Sequence, residues 1–506
     1  MLFRQGVPPH ASYLFKHALV QDAAYGMLLR EPRRTLHARI AETLESQFAE
    51  IAANQPELLA RHCTEAGLIE KAAGLWGKAG QRSLERSALV EAAEQLTRAL
   101  DQIAALPATP ALRHERIKLQ VALIAPLIPL KGHAAPETKA AAEQARLLIE
   151  QAEAMGEPPE DSLLFFSVLY AFWVANYVAF SGDVVRSLAA QFLALAEKQG
   201  ATVPLMIGHR LMAISLASTG DIAEGRAHYD QALALYDPAE HRPLAMRFGQ
   251  DAGVTVLCHR SWALFCLGYP EAALADAQKA FKDAREIGHA ATLMHALAYA
   301  SFTHIQCGNY LTANALVDEL IALADEKGAL LWKAIGMTHQ GWLFARTGKA
   351  SDAVHMITSG LNAWRSTRAT VWVPLYLSYL ARAYADIGNF EDAWRCIGEA
   401  ITAVETAKEK LWETEIHRTA GEIALLSPEP DAAKAEAYFE RALGVARAQR
   451  AKSWELRAAM SMARLWGDQG KRDEARNLLA PVYSWFTESF ETLDLSEAKA
   501  LLDNLA

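Results

Sequence analysis

Glycine recurs on a steady beat through the last two thirds of the chain, at Gly182, Gly220, Gly268, Gly308, Gly348, Gly388 and Gly470, each closing an apolar helical pattern. The three intervals from Gly268 to Gly388 are 40 residues each, and the 82 residues from Gly388 to Gly470 hold two units if the turn around Pro428 to Asp431 replaces a glycine. A period in this range belongs to stacked helix pairs, none of which can bury its apolar face without its neighbours. Glycine enters the left-handed conformation that ends a helix, so it is placed to close the first helix of each pair.

The glycine anchors a longer pattern. Five residues after it stands Ala273, Ala313, Ala353, Ala393 or Ala475; nine after, Ala277, Val317, Ile357, Ile397 or Leu479; twelve after, Ala280, Leu320, Gly360, Ala400 or Val482. These offsets fall on one stripe of a second helix. Seven residues before the glycine the side chain is small again, at Ser261, Ser301, Gly341, Ala381 and Ala463. The unit that lacks its glycine supplies Gly421, Ala435, Phe439 and Ala442 at the same mutual spacings. This order of small residue, turn and Ala-x3-apolar-x2-Ala resembles the tetratricopeptide repeat, whose usual unit is about 34 residues, so the helices or turns here are longer. The resemblance implies an all-α fold, a tetratricopeptide-like α-α superhelix in the form of a right-handed solenoid, with a small winged-helix-like N-terminal remnant.

Length and charge agree. At 506 residues the chain exceeds one ordinary core, yet no Pro-, Gly- or Ser-rich linker divides it. A net charge of -9 argues against a nucleic-acid surface, because phosphate binding needs clustered Lys and Arg, and only Arg30, Arg33 and Arg34 gather. Cys63, Cys258, Cys266, Cys307 and Cys396 show no metal-ligand spacing and read as reduced core residues of a cytoplasmic protein. Residues 162–182 carry no charge over 21 positions, enough to cross a bilayer, but the flanks are acidic and Asn176 interrupts the run. They read as a buried first helix, and no membrane partner is expected.

The chain before residue 160 is organised differently. Residues 12–45 read as a short strand at Tyr13 to Phe15 followed by two helices, with Pro32 where the second begins. Phe15 and His17, then Leu19 to Tyr25, then Arg33 to His37 closely resemble the end of the winged-helix portion that follows the nucleotide-binding core of bacterial signal-transducing ATPases of the STAND class. Residues 57–100 and 130–137 are similar to the first helical repeats of those ATPases, and residues 478–505 to the closing helices of members coupled to class III adenylate or guanylate cyclases. The division expected is residues 1–50 as winged-helix remnant, 51–160 as divergent helical repeats, 161–490 as repeats of about 40 residues, and 491–506 as a capping helix.

Neither catalytic core is present in the sequence. The string nearest a phosphate-binding loop, Gly74 to Lys78, lacks the second half of G-x4-G-K-[ST], and strand signal is too sparse for a cyclase domain. The resemblance therefore implies a non-catalytic sensor and interaction scaffold, the regulatory C-terminal part of a cyclase-linked or ATPase-linked protein. The alternatives are part of a transcription-regulating ATPase of the same class and a free-standing adaptor.

Several residues bear on function. By the resemblance His17 is a nucleotide sensor only beside an upstream ATPase core; otherwise it packs at a strand-helix junction. His289, His295 and His304 lack Cys or carboxylate companions at ligand spacing, so no metal and no cofactor is expected. The tryptophans, among them Trp262, Trp332, Trp342, Trp372, Trp394 and Trp412, read as inter-helix core. Repeat arrays bind partners along a concave groove, and His304, Phe344, Tyr384 and Trp466, four residues before a glycine, are first-helix positions that could line it. A protein or peptide is the expected ligand there, with a small effector as a further class.

Overall fold

The computed structural model describes residues 2–5, 12–15, 23, 25–132, 134–157, 161, 163–488 and 490–506. The chain divides into two units, residues 1–123 and 124–506.

In the first unit β1 (Leu2–Gln5) and β2 (Ser12–Phe15) pair antiparallel, with Leu2 opposite Phe15. The expected strand is thus found, one residue longer, as half of a hairpin. His17 lies outside the described residues. The helices that follow are α1 (Arg30–Gln47), α2 (Ala49–Asn54), α3 (Pro56–Ala66), α4 (Ile69–Glu85), α5 (Leu89–Ala104) and α6 (Pro110–Lys131), the last spanning the division between units. Gly67 ends α3 in the left-handed region. A Cβ at Gly80 would lie 2.6 Å from Leu96, so a bare backbone lets α4 and α5 close together.

The second unit is built from α7 (Pro136–Ala154) and then a run of helix pairs. First helices are α8 (Leu163–Val178), α10 (Thr202–Ser218), α14 (Ala252–Leu267), α16 (Ala290–Gln306), α18 (Leu330–Arg346), α20 (Val373–Asp386), α22 (Glu413–Leu426) and α24 (Lys452–Asp468). Their partners are α9 (Gly182–Gln199), α11 (Ile222–Ala234), α15 (Pro270–Ile287), α17 (Tyr310–Glu326), α19 (Ala350–Ser366), α21 (Phe390–Ala407), α23 (Ala432–Ala448) and α25 (Arg472–Tyr483), and α26 (Leu493–Asn504) closes the chain. The architecture is all-α and tetratricopeptide-like. Helices as long as 18 residues account for the long unit.

The beat read from sequence is the turn. Gly220, Gly268, Gly308, Gly348, Gly388 and Gly470 all have φ between 80° and 103°. The residue after each glycine donates its N–H to the carbonyl of the residue four before that glycine, as Asn309 does to His304 and Lys349 to Phe344, closing the helix in a Schellman turn. Gly182 differs: it begins α9 and does not end α8. It is needed there for space, since a Cβ would stand 2.8 Å from Lys408 and 3.1 Å from the Ala407 carbonyl. The small-residue stripe is the seam: Ala273, Ala313, Ala353, Ala393 and Ala475 are wholly buried. In the unit without glycine, Phe439 occupies the place where a Cβ of Gly421 would sit.

Most of the uncharged run forms α8, whose Phe166, Tyr170, Trp173 and Tyr177 join the core, and no helix among the described residues is long and apolar enough to cross a membrane.

The pairs also touch at long range. Thr370 and Val371, just ahead of α20, donate their N–H groups to the carbonyl of Val178 at the end of α8. Lys410 and Leu411, ahead of α22, do the same to Ser218 at the end of α10. Ser453 of α24 donates to the Phe265 carbonyl of α14, and Arg457 to that of Gln306 in α16. The first three contacts each join a first helix to the one five pairs later, so one coil of the array lies against the next.

Candidate functional site

His304, Phe344, Tyr384 and Trp466 take equivalent places in their hairpins, at four of the six Schellman turns. All four are half-buried. His304 faces Asn309 at 3.5 Å, Phe344 lies under the Lys349 ammonium at 5.5 Å, and the Trp466 indole donates to Glu436 at 2.9 Å. Tyr384 packs against the main core. Each side chain is thus engaged within its own hairpin or with its neighbour, at the turn edge of the array.

The faces that the first helices turn inward carry the aromatic core. Trp262 stacks on Tyr299 at 4.1 Å and meets Trp372 and Trp412, from the third and fourth pairs onward, at 5.5 and 5.6 Å. Trp342 stacks on Tyr379 at 4.2 Å. Of the six tryptophans singled out in the sequence, Trp262, Trp332, Trp372 and Trp412 are buried, and Trp342 and Trp394 partly so. The space that an open array would offer as a groove is therefore lined and bridged by the protein's own rings.

Polar groups in this interior are held in their neutral forms by burial. His259 is pushed down to about 3, its Nε2 facing the Tyr299 hydroxyl at 2.8 Å. His339 is likewise lowered to about 3, and His295 lies well below its ordinary value. Burial raises the Glu409 carboxyl to about 8, while its Oε1 accepts the N–H of Trp372 at 2.9 Å. Trp372 is itself in the left-handed region, at φ 65°, which is a strained place for a bulky side chain. All five cysteines are free and buried. Among the described residues no group of three or more His, Cys, Asp or Glu is arranged to hold a metal ion.

Two charged centres emerge that the repeat pattern did not single out. In one, the Arg457 guanidinium reaches Asp494 of α26 at 2.7 Å, Glu415 of α22 at 3.4 Å and the side-chain oxygen of Gln306 at 2.9 Å. Arg418 takes Glu415 at 2.7 Å and also pairs with Glu422. Burial alone would raise the Glu415 carboxyl, but Arg418 and Arg457 more than offset it and hold it low. This network ties α16, α22, α24 and α26 together.

The other centre surrounds Arg210, which is 2% exposed in the middle of α10. Its Nη2 donates to the Tyr170 hydroxyl at 2.7 Å, while Nε and Nη1 are buried without an acceptor. The same holds for Nε of Arg242, Nη1 of Arg247 and Nε2 of His295. Arg242 and Arg247 belong to the one stretch that breaks the alternation of pairs, residues 235–251, which contains the short helices α12 (Pro238–His241) and α13 (Ala245–Phe248). The signal in the sequence was a charged residue inside an apolar first helix, which holds for Arg210; Arg457 stands in a first helix that also carries Lys452, Glu455 and Arg464 and gave no such signal.

No family model matches the chain. An uncharacterized protein of Rhizobium meliloti (strain 1021) is 26% identical over 469 residues, which are 92% of this chain and 44% of that protein, so the chain spans less than half the length of this relative. Among solved structures, the anaphase-promoting-complex hetero-tetramer Cut9–Hcn1 matches at 12% identity over 93% of this chain and 87% of that one, with a TM-score of 0.49. A Rap protein complexed with competence and sporulation factor matches at 9% identity over 86% of this chain and 99% of that one, with a TM-score of 0.44. The apo quorum sensor NprR from B. thuringiensis matches at 11% identity over 73% and 99%, with a TM-score of 0.44.

Proposed function

We propose that the chain is a non-catalytic interaction and sensor scaffold, cytoplasmic, and the regulatory part of a bacterial signalling protein linked to a STAND-class ATPase and a class III cyclase. The observation that carries the scaffold reading is the coil-on-coil contact of the helix pairs: a ligand that binds better with those contacts made than with them broken, or the reverse, would bias whatever is attached. The ATPase and cyclase linkage is supported by the resemblance of residues 12–37 and 478–505, and the greater length of the Rhizobium relative accords with it.

Because rings fill the interior, a protein or peptide partner is expected to engage the turn edge that carries His304, Phe344, Tyr384 and Trp466. A small effector would act inside.

Two measurements test this. The coding sequence adjoining Met1 should encode a phosphate-binding loop and paired metal-binding aspartates; other neighbours would favour a free-standing adaptor. The purified chain should turn over no nucleotide, and reproducible turnover at ordinary enzyme rates would overturn the non-catalytic reading.

A further inference from the structure

A guanidinium presents five N–H donors and no acceptor, and its burial is costly unless those donors are met. At Arg210 only the Tyr170 hydroxyl meets them. The carboxylate on which it acts is already committed: Asp251, buried at the start of α14, has one oxygen on the N–H of Val254 at 2.9 Å and the other on the hydroxyl of Tyr236 at 2.8 Å. Arg242 and Arg247 each keep one buried unpaired donor, although each also pairs with a carboxylate, Glu286 and Asp161 respectively. Arg242 acts on Asp251 together with Arg210, and Phe248, next to Arg247, sets its ring edge-on to Tyr170 at 5.3 Å. The imbalance is one of excess donors.

We propose that Arg210 anchors a buried site for a small molecule carrying an oxyanion group, carboxylate or phosphate, and that residues 235–251 part to admit it. The unpaired nitrogens have no contact with solvent in the described conformation, so entry requires a wall to move. Residues 235–251 are suited to that. They are not a helix pair, they carry Gly249 at φ 74° with nothing within 4 Å of where a Cβ would sit, and their outward ion pairs are those of Arg242 with Glu286 at 3.5 Å and of Arg247 with Asp161, beside the ring contact of Phe248 with Tyr170 and the N–H that Asp251 donates to Thr292 at 3.0 Å. The two ion pairs are partly exposed and weak individually, and opening must also part the Phe248 and Asp251 contacts. The site deepens the sensor reading by naming an effector class, and it rests on that reading only for its signalling consequence.

The test uses the full chain, with thermal unfolding followed against inorganic phosphate and, separately, succinate, at ionic strength held constant with sodium chloride. A ligand that binds only the folded state raises the midpoint in a saturable way. The expected result is such a rise with at least one of the two anions, the responding anion identifying the group. Arg210→Met should abolish the rise and melt no lower than the native chain, because it removes an unmet buried charge. Arg210→Lys, which keeps the charge with fewer donors, should need at least about tenfold more anion for half-saturation, as expected when a bidentate donor is replaced by a point charge. No saturable rise with either anion, a rise retained in Arg210→Met, or Arg210→Met melting well below the native chain would each overturn the proposal; the last would make Arg210 a structural partner of Tyr170. None of these outcomes depends on nucleotide turnover or on the adjoining coding sequence.

Discussion

Single buried charges decide much of this protein's balance. Glu409 takes up a proton on folding, since its folded value of about 8 lies above the ordinary 4.5. Its contribution is fully present below the unfolded value and is lost as pH rises towards and through the folded one. Glu409→Gln keeps the acceptor for Trp372 and removes the ionisation, so it should melt higher than the native chain at pH 8, by a few kcal/mol at about 1.4 kcal/mol for each tenfold change in proton affinity. The gap should close by about pH 4.5; a gap independent of pH would show that burial does not govern this carboxyl. Arg457→Met strands Asp494 and weakens the hold on Glu415, and breaking a buried pair of this kind costs about 3–5 kcal/mol. Denaturant unfolding would read that loss directly. Nothing local in the sequence marked either residue: Glu409 lies in the turn between α21 and α22, and Arg457 in a helix that also carries Lys452, Glu455 and Arg464. Their partners lie up to 151 residues away, as Gln306 does from Arg457, and periodicity carries no information about such pairings.

At the scale of the helix and its turn, the sequence was far more legible. Small residues at fixed offsets named the seam, and glycine named the turn at six of the eight pairs, because both follow from local geometry repeated along the array. Gly182 escaped that logic since its reason is a distant neighbour, Lys408, and not its own backbone. The two kinds of glycine can be separated by experiment. Gly348→Ala and Gly308→Ala both strain a left-handed residue, at φ 80° and 81°, but only at Gly308 would the new Cβ collide, 2.8 Å from Leu493. Gly308→Ala should therefore lower the melting temperature by more than Gly348→Ala; equal losses would mean that the contact with Leu493 contributes nothing. Ala353→Trp and Ala393→Trp overfill the seam and should cost about 1–3 kcal/mol or more. The exposed Lys279→Ala should change stability by less than about 0.5 kcal/mol. The same melting experiment ranks all five.

For the molecule as a whole, acid is the predicted weakness. His259, His295, His339 and His417 are all neutral when folded because burial lowers them, His417 to about 4. A base with a depressed folded value contributes stability above its unfolded value, about 6.5, and loses it as pH falls. The urea midpoint should decline steadily from pH 6.5 towards pH 4.5, each histidine contributing up to about 1.4 kcal/mol for every tenfold rise in proton concentration. A flat midpoint over that range would refute neutral burial.

The carbonyl contacts between Val178 and Thr370, and between Ser218 and Lys410, set a further constraint on this architecture. Ordinary helical-repeat genes lengthen and shorten by whole units, because each unit meets only its immediate neighbours. Here the deletion or duplication of one hairpin anywhere between Val178 and Lys410 would slide every later partner past its mate. Descendants of this gene are thereby confined to a fixed number of hairpins, and variation should accumulate as substitutions and not as changes in repeat count.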